Sequence, residues 1–90
     1  METGFYKNEN IKYKIFHKKG EKDGVEKQFY ENGELKKTIE FKNGKTDGKF
    51  KELYENGKVR FEGNYTNNKE SGVWRMYDEK GNLVTEKIVD

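Results

Sequence analysis

The chain repeats itself every 24 residues, and this period constrains its fold more than any other feature. The period is carried by two columns of glycine, which are Gly24, Gly48 and Gly72 and then Gly33, Gly57 and Gly81. An aliphatic column, made of Ile11, Leu35, Val59 and Leu83, keeps the same spacing. A fixed period of this length is typical of repeat architectures. We therefore expect one domain over residues 1–90, with a half unit at 4–23 and units at 24–47, 48–71 and 72–90.

Each unit has the pattern of a β-hairpin. Asn32-Gly33 and Asn56-Gly57 lie between short β-prone runs, and Asn-Gly suits a two-residue type I′ turn. A second turn signal follows each hairpin, as at Asn43-Gly44 and Asn67-Asn68. The chain also lacks Ala and Pro and is 14% aromatic, which favours strands over helices. The sequence predicts an all-β fold, an antiparallel β-meander of about eight short strands near 4–8, 11–17, 25–30, 35–41, 49–54, 59–65, 73–78 and 83–89.

Turn type decides which side chains share a face, and two registers are open. With two-residue turns, Tyr54 opposes Val59, Glu52 opposes Phe61, and Phe61 also opposes Trp74. The aromatic and aliphatic residues then collect on one core face. If the Asn-Gly turns instead carry a one-residue glycine bulge, Phe29, Leu53 and Tyr77 enter the core. The first register is preferred.

In the preferred register the opposite face is basic and carries an apolar stripe. Aromatic and cationic side chains together are the mixture enriched at interface hot spots. The candidate partner-binding residues on this face are Phe5, Phe29, Leu53, Tyr77, Lys27, Lys51, Arg60 and Arg75.

One sheet covers its core face on one side only. We expect the meander to coil on itself, with a homodimer through a sheet edge or the core face as the second choice.

Candidate chemistry is sparse. The chain has one Ser, one His and no Cys, and Ser71 and His17 occupy ordinary turn and strand positions of the repeat. We expect no catalytic, cofactor-binding or metal-binding residues and no enzymatic activity.

Two Arg and a net charge of +2 make nucleic acid an unlikely partner. The absence of an apolar run or a signal-peptide pattern favours a cytoplasmic location, with export or the cell surface as the alternative if a leader is removed.

Three segments of the chain share one pattern: Phe29-Tyr30-Glu31-Asn32-Gly33-Glu34-Leu35, Leu53-Tyr54-Glu55-Asn56-Gly57-Lys58-Val59 and Tyr77-Asp78-Glu79-Lys80-Gly81-Asn82-Leu83. This pattern resembles the bacterial variant of the MORN repeat, specifically the YwqK-type antitoxin family. The resemblance implies a β-repeat sheet with no catalytic residues, no cofactor and a binding role. Glu9 at the first turn glycine, Asn68 in place of Gly44 and Lys80 in place of Asn32 depart from the pattern and put the geometry of those turns in question.

Two functions follow from these observations. The first is a module that binds another protein, either a toxin or effector, as an antitoxin or immunity component would, or a repeat neighbour. The alternative is an exported or surface-associated repeat protein that contacts anionic lipid, glycan or a host surface.

Overall fold

The computed structural model describes residues 1–89, which form strands and turns without a helix. No helix that could span a membrane is therefore present in this part of the chain. The ten strands are β1 (Glu2–Phe5), β2 (Ile11–Ile15), β3 (His17–Lys18), β4 (Glu21–Lys22), β5 (Gly24–Phe29), β6 (Leu35–Lys42), β7 (Lys45–Leu53), β8 (Val59–Thr66), β9 (Lys69–Tyr77) and β10 (Leu83–Val89).

Eight of these strands form one antiparallel sheet in the order β1-β2-β5-β6-β7-β8-β9-β10. This confirms the predicted all-β meander. The strands β3 and β4 form a separate two-stranded hairpin, where the sequence predicted the end of one long strand and a turn. The first strand lies at Glu2–Phe5 rather than at 4–8. Strands β7 and β9 begin four residues earlier than predicted, because Gly48 and Gly72 adopt positive φ inside the strands instead of ending them.

The two ends of the sheet use different turns, and the type I′ turns predicted at Asn32-Gly33 and Asn56-Gly57 are wrong. At Tyr54-Glu55-Asn56-Gly57 the Gly57 N–H donates to the Tyr54 carbonyl, and only Gly57 has positive φ. This is a type I turn followed by a glycine bulge, which makes a three-residue hairpin loop. Type I′ geometry, with two positive φ values in succession, occurs at the opposite end of the sheet, at Lys19-Gly20, Asn43-Gly44 and Asn67-Asn68.

Each of the two predicted registers holds in a different part of the same hairpin. In the strand body Phe50 pairs with Gly63 and Glu52 with Phe61, as the preferred register requires. Next to the turn, Leu53 rather than Tyr54 pairs with Val59, as the glycine bulge requires. A second bulge between these pairs, at Arg60, reconciles the two registers. The other hairpins have the same register shift, whereas Phe61 pairs with Met76 and not with Trp74.

The sheet is open and nearly flat, so the expected coiling is wrong. The Cα atoms span 35 × 31 × 11 Å. Eight strands laid side by side at the usual spacing need about 34 Å, which leaves no length for closure. The strands β1 and β10 are both edges. Among residues 1–89 only two apolar residues are buried, Leu53 and Trp74, with 8% and 3% of their surface exposed.

Hydrogen bonds between consecutive units compensate in part for this thin core. The end of the sheet with the bulged turns at Gly33, Gly57 and Gly81 is called the glycine-turn end. There, tyrosine hydroxyls of one unit donate to backbone carbonyls of the next: Tyr6 to Phe29 at 2.7 Å, Tyr30 to Leu53 at 2.6 Å and Tyr54 to Tyr77 at 2.7 Å. We call this set the tyrosine ladder. At the type I′ end the direction reverses, and Gly44 N–H donates to the Lys22 carbonyl at 2.8 Å.

Candidate interaction surface

The register builds a row of polar side chains that crosses all eight strands on one face. Residues directly opposite each other in an antiparallel pair lie on the same face. Successive pairs therefore place the following residues side by side: Thr3, Lys14, Lys27, Thr38, Lys51, Glu62, Arg75 and Glu86. We call this set the charged row and its side of the sheet the charged-row face.

The part of the charged row from Thr3 to Lys51 carries only basic charge. Lys14 lies directly opposite Lys27, and Thr38 separates Lys27 from Lys51. Within residues 1–89 none of these three lysines takes part in an ion pair. Like charges placed opposite each other destabilise a sheet. An anionic partner would relieve this repulsion.

The remaining part of the charged row, from Glu62 to Glu86, alternates in sign, and its side chains are engaged with neighbours in the sheet. The Arg75 Nε lies 2.9 Å from the Glu86 carboxylate, and this hydrogen bond raises the pKa of Arg75. The Tyr77 hydroxyl donates to Glu62 at 3.0 Å. Burial, followed by this hydrogen bond, raises the pKa of Tyr77. Arg75 and Tyr77 are thus held by neighbours within the sheet.

An apolar border lies beside the charged row at the glycine-turn end. The contact of Tyr77 with Glu62 places Tyr77 on the charged-row face, and Phe5, Phe29 and Leu53 occupy the same repeat position. Each member pairs with an aliphatic residue of its own hairpin, such as Leu35 for Phe29. The border consists of Phe5, Ile11, Phe29, Leu35, Leu53, Val59, Tyr77 and Leu83.

Burial varies along the apolar border. Leu53, at the centre, is covered by its neighbours, whereas Phe5 at the β1 edge is 62% exposed and Phe29 is half-buried. The exposed aromatic surface thus lies beside Lys14 and Lys27, in the N-terminal half of the sheet.

The structure divides the eight predicted partner-binding residues into two groups. Phe5, Phe29, Lys27 and Lys51 lie on the charged-row face between β1 and β7. The other four are not available in the same way, since Leu53 is buried and Arg75 and Tyr77 are engaged. Arg60 lies on the opposite face, 3.6 Å from Glu52, because the bulge at Arg60 interrupts the strand's alternation.

Sequence reasoning did not select Lys14 or Thr38 as part of this surface. Lys14 was placed on the basic face, but only the register shows that it lies directly opposite Lys27.

The opposite face is filled by an aromatic cluster, so we call it the aromatic face. Trp74 lies over Gly63, where an added Cβ would meet the indole ring at 2.0 Å. Phe61 and Tyr65 meet the indole edge-on at centroid distances of 5.4 and 5.1 Å, and Phe50 lies at 5.5 Å. These rings already occupy one another's faces. Trp74 Nε1 is the one buried side-chain polar atom without a hydrogen-bond partner in the described chain.

Glu26 is a buried acid with a structural environment. It is 6% exposed and accepts hydrogen bonds from Lys22 Nζ at 2.9 Å and Gln28 Nε2 at 2.8 Å. Burial is the largest influence and raises the pKa of Glu26, but these hydrogen bonds and the charges of Lys22 and Lys37 together lower it below its usual value. A carboxylate saturated in this way is poorly suited to proton transfer.

The remaining candidate groups lie apart from one another. His17 Nε2 is 3.2 Å from Glu2, and Ser71 Oγ bonds Asn64 and Thr66 within its own hairpin. Over residues 1–89 no group of three or more His, Cys, Asp or Glu side chains is arranged to hold a metal ion.

The fold and the repeat together define a class of β-repeat protein. Three segments of the chain, 22–43, 46–67 and 70–88, match the MORN repeat variant family, and successive matches begin 24 residues apart. The matches cover more than half of the chain, which therefore belongs to this family. Repeats of this kind are associated with binding and interaction. No curated protein and no solved structure gave a significant match.

Proposed function

We propose that this chain is a non-enzymatic interaction module that binds an acidic surface of another protein through its charged-row face, chiefly the part from Thr3 to Lys51. The observation that carries the proposal is the run of Lys14, Lys27 and Lys51, which make no ion pair within residues 1–89 and lie beside the exposed ring of Phe5 and the half-buried ring of Phe29. Cations beside partly exposed aromatic rings supply both attraction and desolvated contact area.

The area of the face supports a protein partner. A sheet of 35 × 31 Å presents about 1,000 Å² on one side. A stable interface buries about 800 Å² on each partner. A standard interface therefore needs most of this face, so the partner would contact the part from Glu62 to Glu86 as well as the lysines.

The charge pattern favours a protein over an anionic membrane. Beyond Lys51 the row alternates through Glu62, Arg75 and Glu86. A uniformly negative lipid surface would be repelled by these two acids, whereas a protein surface can match both signs. A toxin or effector with an acidic patch fits this pattern, and the chain would then act in the cytoplasm as an antitoxin or immunity component.

Capture from a lysate of the source organism, together with vesicle sedimentation, separates the two functions. Three tagged proteins are used at moderate salt: the wild type, the triple variant K14Q/K27Q/K51Q and the control K19Q/K42Q/K69Q. The control makes the same charge change at exposed positions near the type I′ turns. The vesicles contain phosphatidylcholine with or without phosphatidylglycerol.

We expect one stoichiometric polypeptide with the wild type and the control, and its loss with K14Q/K27Q/K51Q. Expression of that polypeptide alone should be toxic, and co-expression of the present chain should remove the toxicity. Salt-sensitive sedimentation with phosphatidylglycerol vesicles and no captured polypeptide would overturn the proposal in favour of the lipid-binding alternative.

A further inference from the structure

The centre of the aromatic face is apolar and partly open to solvent. Ile39 lies directly opposite Phe50 there, and both are half-buried, as are Ile15 and Phe41. Met76, on the same face, is 37% exposed. A single sheet leaves such a face in contact with water, and β-sandwiches cover it with a second sheet at a distance of about 10 Å. An occupant of this face must therefore be apolar at its own centre.

Two rows of side chains cross the aromatic face, parallel to the charged row. The first row follows from direct pairing between neighbouring strands and consists, from β1 to β10, of Gly4, Tyr13, Gln28, Lys37, Glu52, Phe61, Met76 and Thr85. The second row lies two residues nearer the type I′ end on each strand and consists of Glu2, Ile15, Glu26, Ile39, Phe50, Gly63, Trp74 and Lys87. Each of the eight strands thus contributes one position to each row, and the order of the strands determines what the face presents.

The centre of each row matches itself when the order of the strands is reversed. Reversal about the boundary between β6 and β7 exchanges Lys37 with Glu52 in the first row and Ile39 with Phe50 in the second row. A two-fold axis parallel to the strands at this boundary performs that reversal when a second copy lies face to face on the first. Lys37 then faces Glu52 of the second copy, and Ile39 faces its Phe50. Each contact occurs twice, as in any isologous interface.

The charges further out on the aromatic face match in the same way. Glu2 exchanges with Lys87, and their neighbours His17 and Glu70, which lie 3.2 and 2.9 Å from them, exchange with each other. The axis therefore places one local pair on the other, with each carboxylate facing a nitrogen. An axis one hairpin away, between β8 and β9, would instead place the ammonium of Lys87 on the ring of Phe50. Charge complementarity thus favours the axis between β6 and β7.

The aromatic face is also large enough for a stable dimer. A sheet whose Cα atoms span 35 × 31 Å presents about 1,000 Å² on one face, and a standard interface buries about 800 Å² on each partner. Two copies laid face to face about this axis overlap over all eight strands of the sheet, so the contact reaches that size.

We propose that two copies of this chain pack their aromatic faces together about a two-fold axis between β6 and β7. The apolar contacts around Ile39 and Phe50 supply the affinity, and the contacts of Lys37 with Glu52 set the register. Both charged-row faces point outward in this dimer. The dimer therefore leaves them free for two molecules of the proposed partner, and it does not depend on that partner.

Two opposite charge reversals test the axis. K37E places a carboxylate against Glu52 of the second copy, and E52K places an ammonium against its Lys37, so each variant alone should dimerise roughly tenfold more weakly than the wild type, or worse. An equimolar mixture of the two should recover the dimer, because the carboxylate introduced in one chain then faces the ammonium introduced in the other. Each chain keeps its own like-charged pair in the mixture, so recovery reports only the contact between copies. The control K49E reverses a charge at an exposed position of the charged-row face and should dimerise like the wild type.

Sedimentation velocity over a wide concentration range measures the dissociation constant of each protein and of the mixture. The wild type should sediment as a dimer of the 10.7 kDa chain. Met76→Lys serves if K37E or E52K fails to fold, because Met76 is partly exposed and the fold can accept the change. This variant places a charge against Tyr13 of the second copy and should also weaken the dimer.

A wild type that stays monomeric at every concentration would overturn the dimer. A dimer that the variants leave intact, or one that the mixture fails to recover, would overturn the proposed axis. None of these outcomes involves Lys14, Lys27 or Lys51, so a failure here is distinct from a failure of the proposed function.

Discussion

The hydroxyl of Tyr54 lies 2.7 Å from the backbone carbonyl oxygen of Tyr77, 23 residues further along the chain. This hydrogen bond joins two repeat units at a partly buried site. Tyr30 makes the same bond one unit earlier, and Tyr6 makes it two units earlier. In a sheet with only two buried apolar residues, bonds between units carry more of the stability than they would above a deep core.

Removal of the Tyr54 hydroxyl should weaken the joint between the last two units. We expect Tyr54→Phe to lower the free energy of unfolding by about 1 kcal/mol, since a ring of the same shape remains without the donor. Tyr65→Phe is the control, because the described structure gives its hydroxyl no hydrogen bond to lose. Urea denaturation monitored by tryptophan fluorescence measures both, and equal losses would contradict the role of the ladder.

Gly63 is required by the packing of Trp74. An added Cβ would lie 2.0 Å from the indole, which three other rings hold in place, so Gly63→Ala should destabilise the protein by about 2 kcal/mol. Gly4→Ala is the comparison, because its Cβ would meet the Tyr13 ring near the open β1 edge, where that ring can move aside. Thermal denaturation should show the larger loss for Gly63→Ala; the reverse order would contradict the packing argument.

Glu26 makes stability depend on acid pH. Its pKa is lower in the folded state than in the unfolded state, so the unfolded state takes up the proton more readily. The stabilisation is therefore fully present above the ordinary glutamate pKa of about 4.3 and is lost as pH falls through the lowered folded-state pKa.

We expect Glu26→Gln to lower the free energy of unfolding at neutral pH, because the ion pair with Lys22 is lost. The loss should be only about 1 kcal/mol, since Lys22 is partly exposed and water screens the pair. The variant should also lose part of the decline at acid pH. Denaturation curves of both proteins between pH 3 and 7 test this, and parallel curves would assign the acid sensitivity to other carboxylates.

Glu9 occupies a glycine position at a cost. Because its φ is 73°, Glu9→Gly should stabilise the first hairpin by about 0.5–1 kcal/mol. Glu9→Ala keeps a Cβ and should give no comparable gain. A raised melting temperature for both substitutions would attribute the effect to the lost charge rather than to the backbone.

The 24-residue period predicts the fold well because it specifies hairpins at fixed intervals. The strand bodies follow from alternation, as the pairs Phe50 with Gly63 and Glu52 with Phe61 show. The hairpin ends could not be predicted, because Asn-Gly suits both a two-residue turn and a longer loop with a glycine bulge. The second bulge at Arg60 has no sequence signal and reverses the side to which Arg60 points.

The candidate surface was predictable only in part for the same reason. Lys27 and Lys51 lie in strand bodies, where alternation gave their face correctly. Leu53 and Tyr77 lie beside the bulges, and their burial and hydrogen bonding depend on neighbours that alternation does not specify. Coiling is the sequence-based expectation, because a sheet face that nothing covers leaves apolar side chains in water. The tyrosine ladder instead holds consecutive units side by side in a flat sheet.

The most direct test of the proposed interaction is calorimetric titration of the captured polypeptide against three proteins at low and high salt. These are the wild type, K14Q/K27Q/K51Q and the turn-lysine control K19Q/K42Q/K69Q. The account predicts that the first variant binds at least tenfold more weakly and loses most of the salt dependence, while the control matches the wild type. Equal affinity of all three proteins would contradict the assignment of the charged-row face.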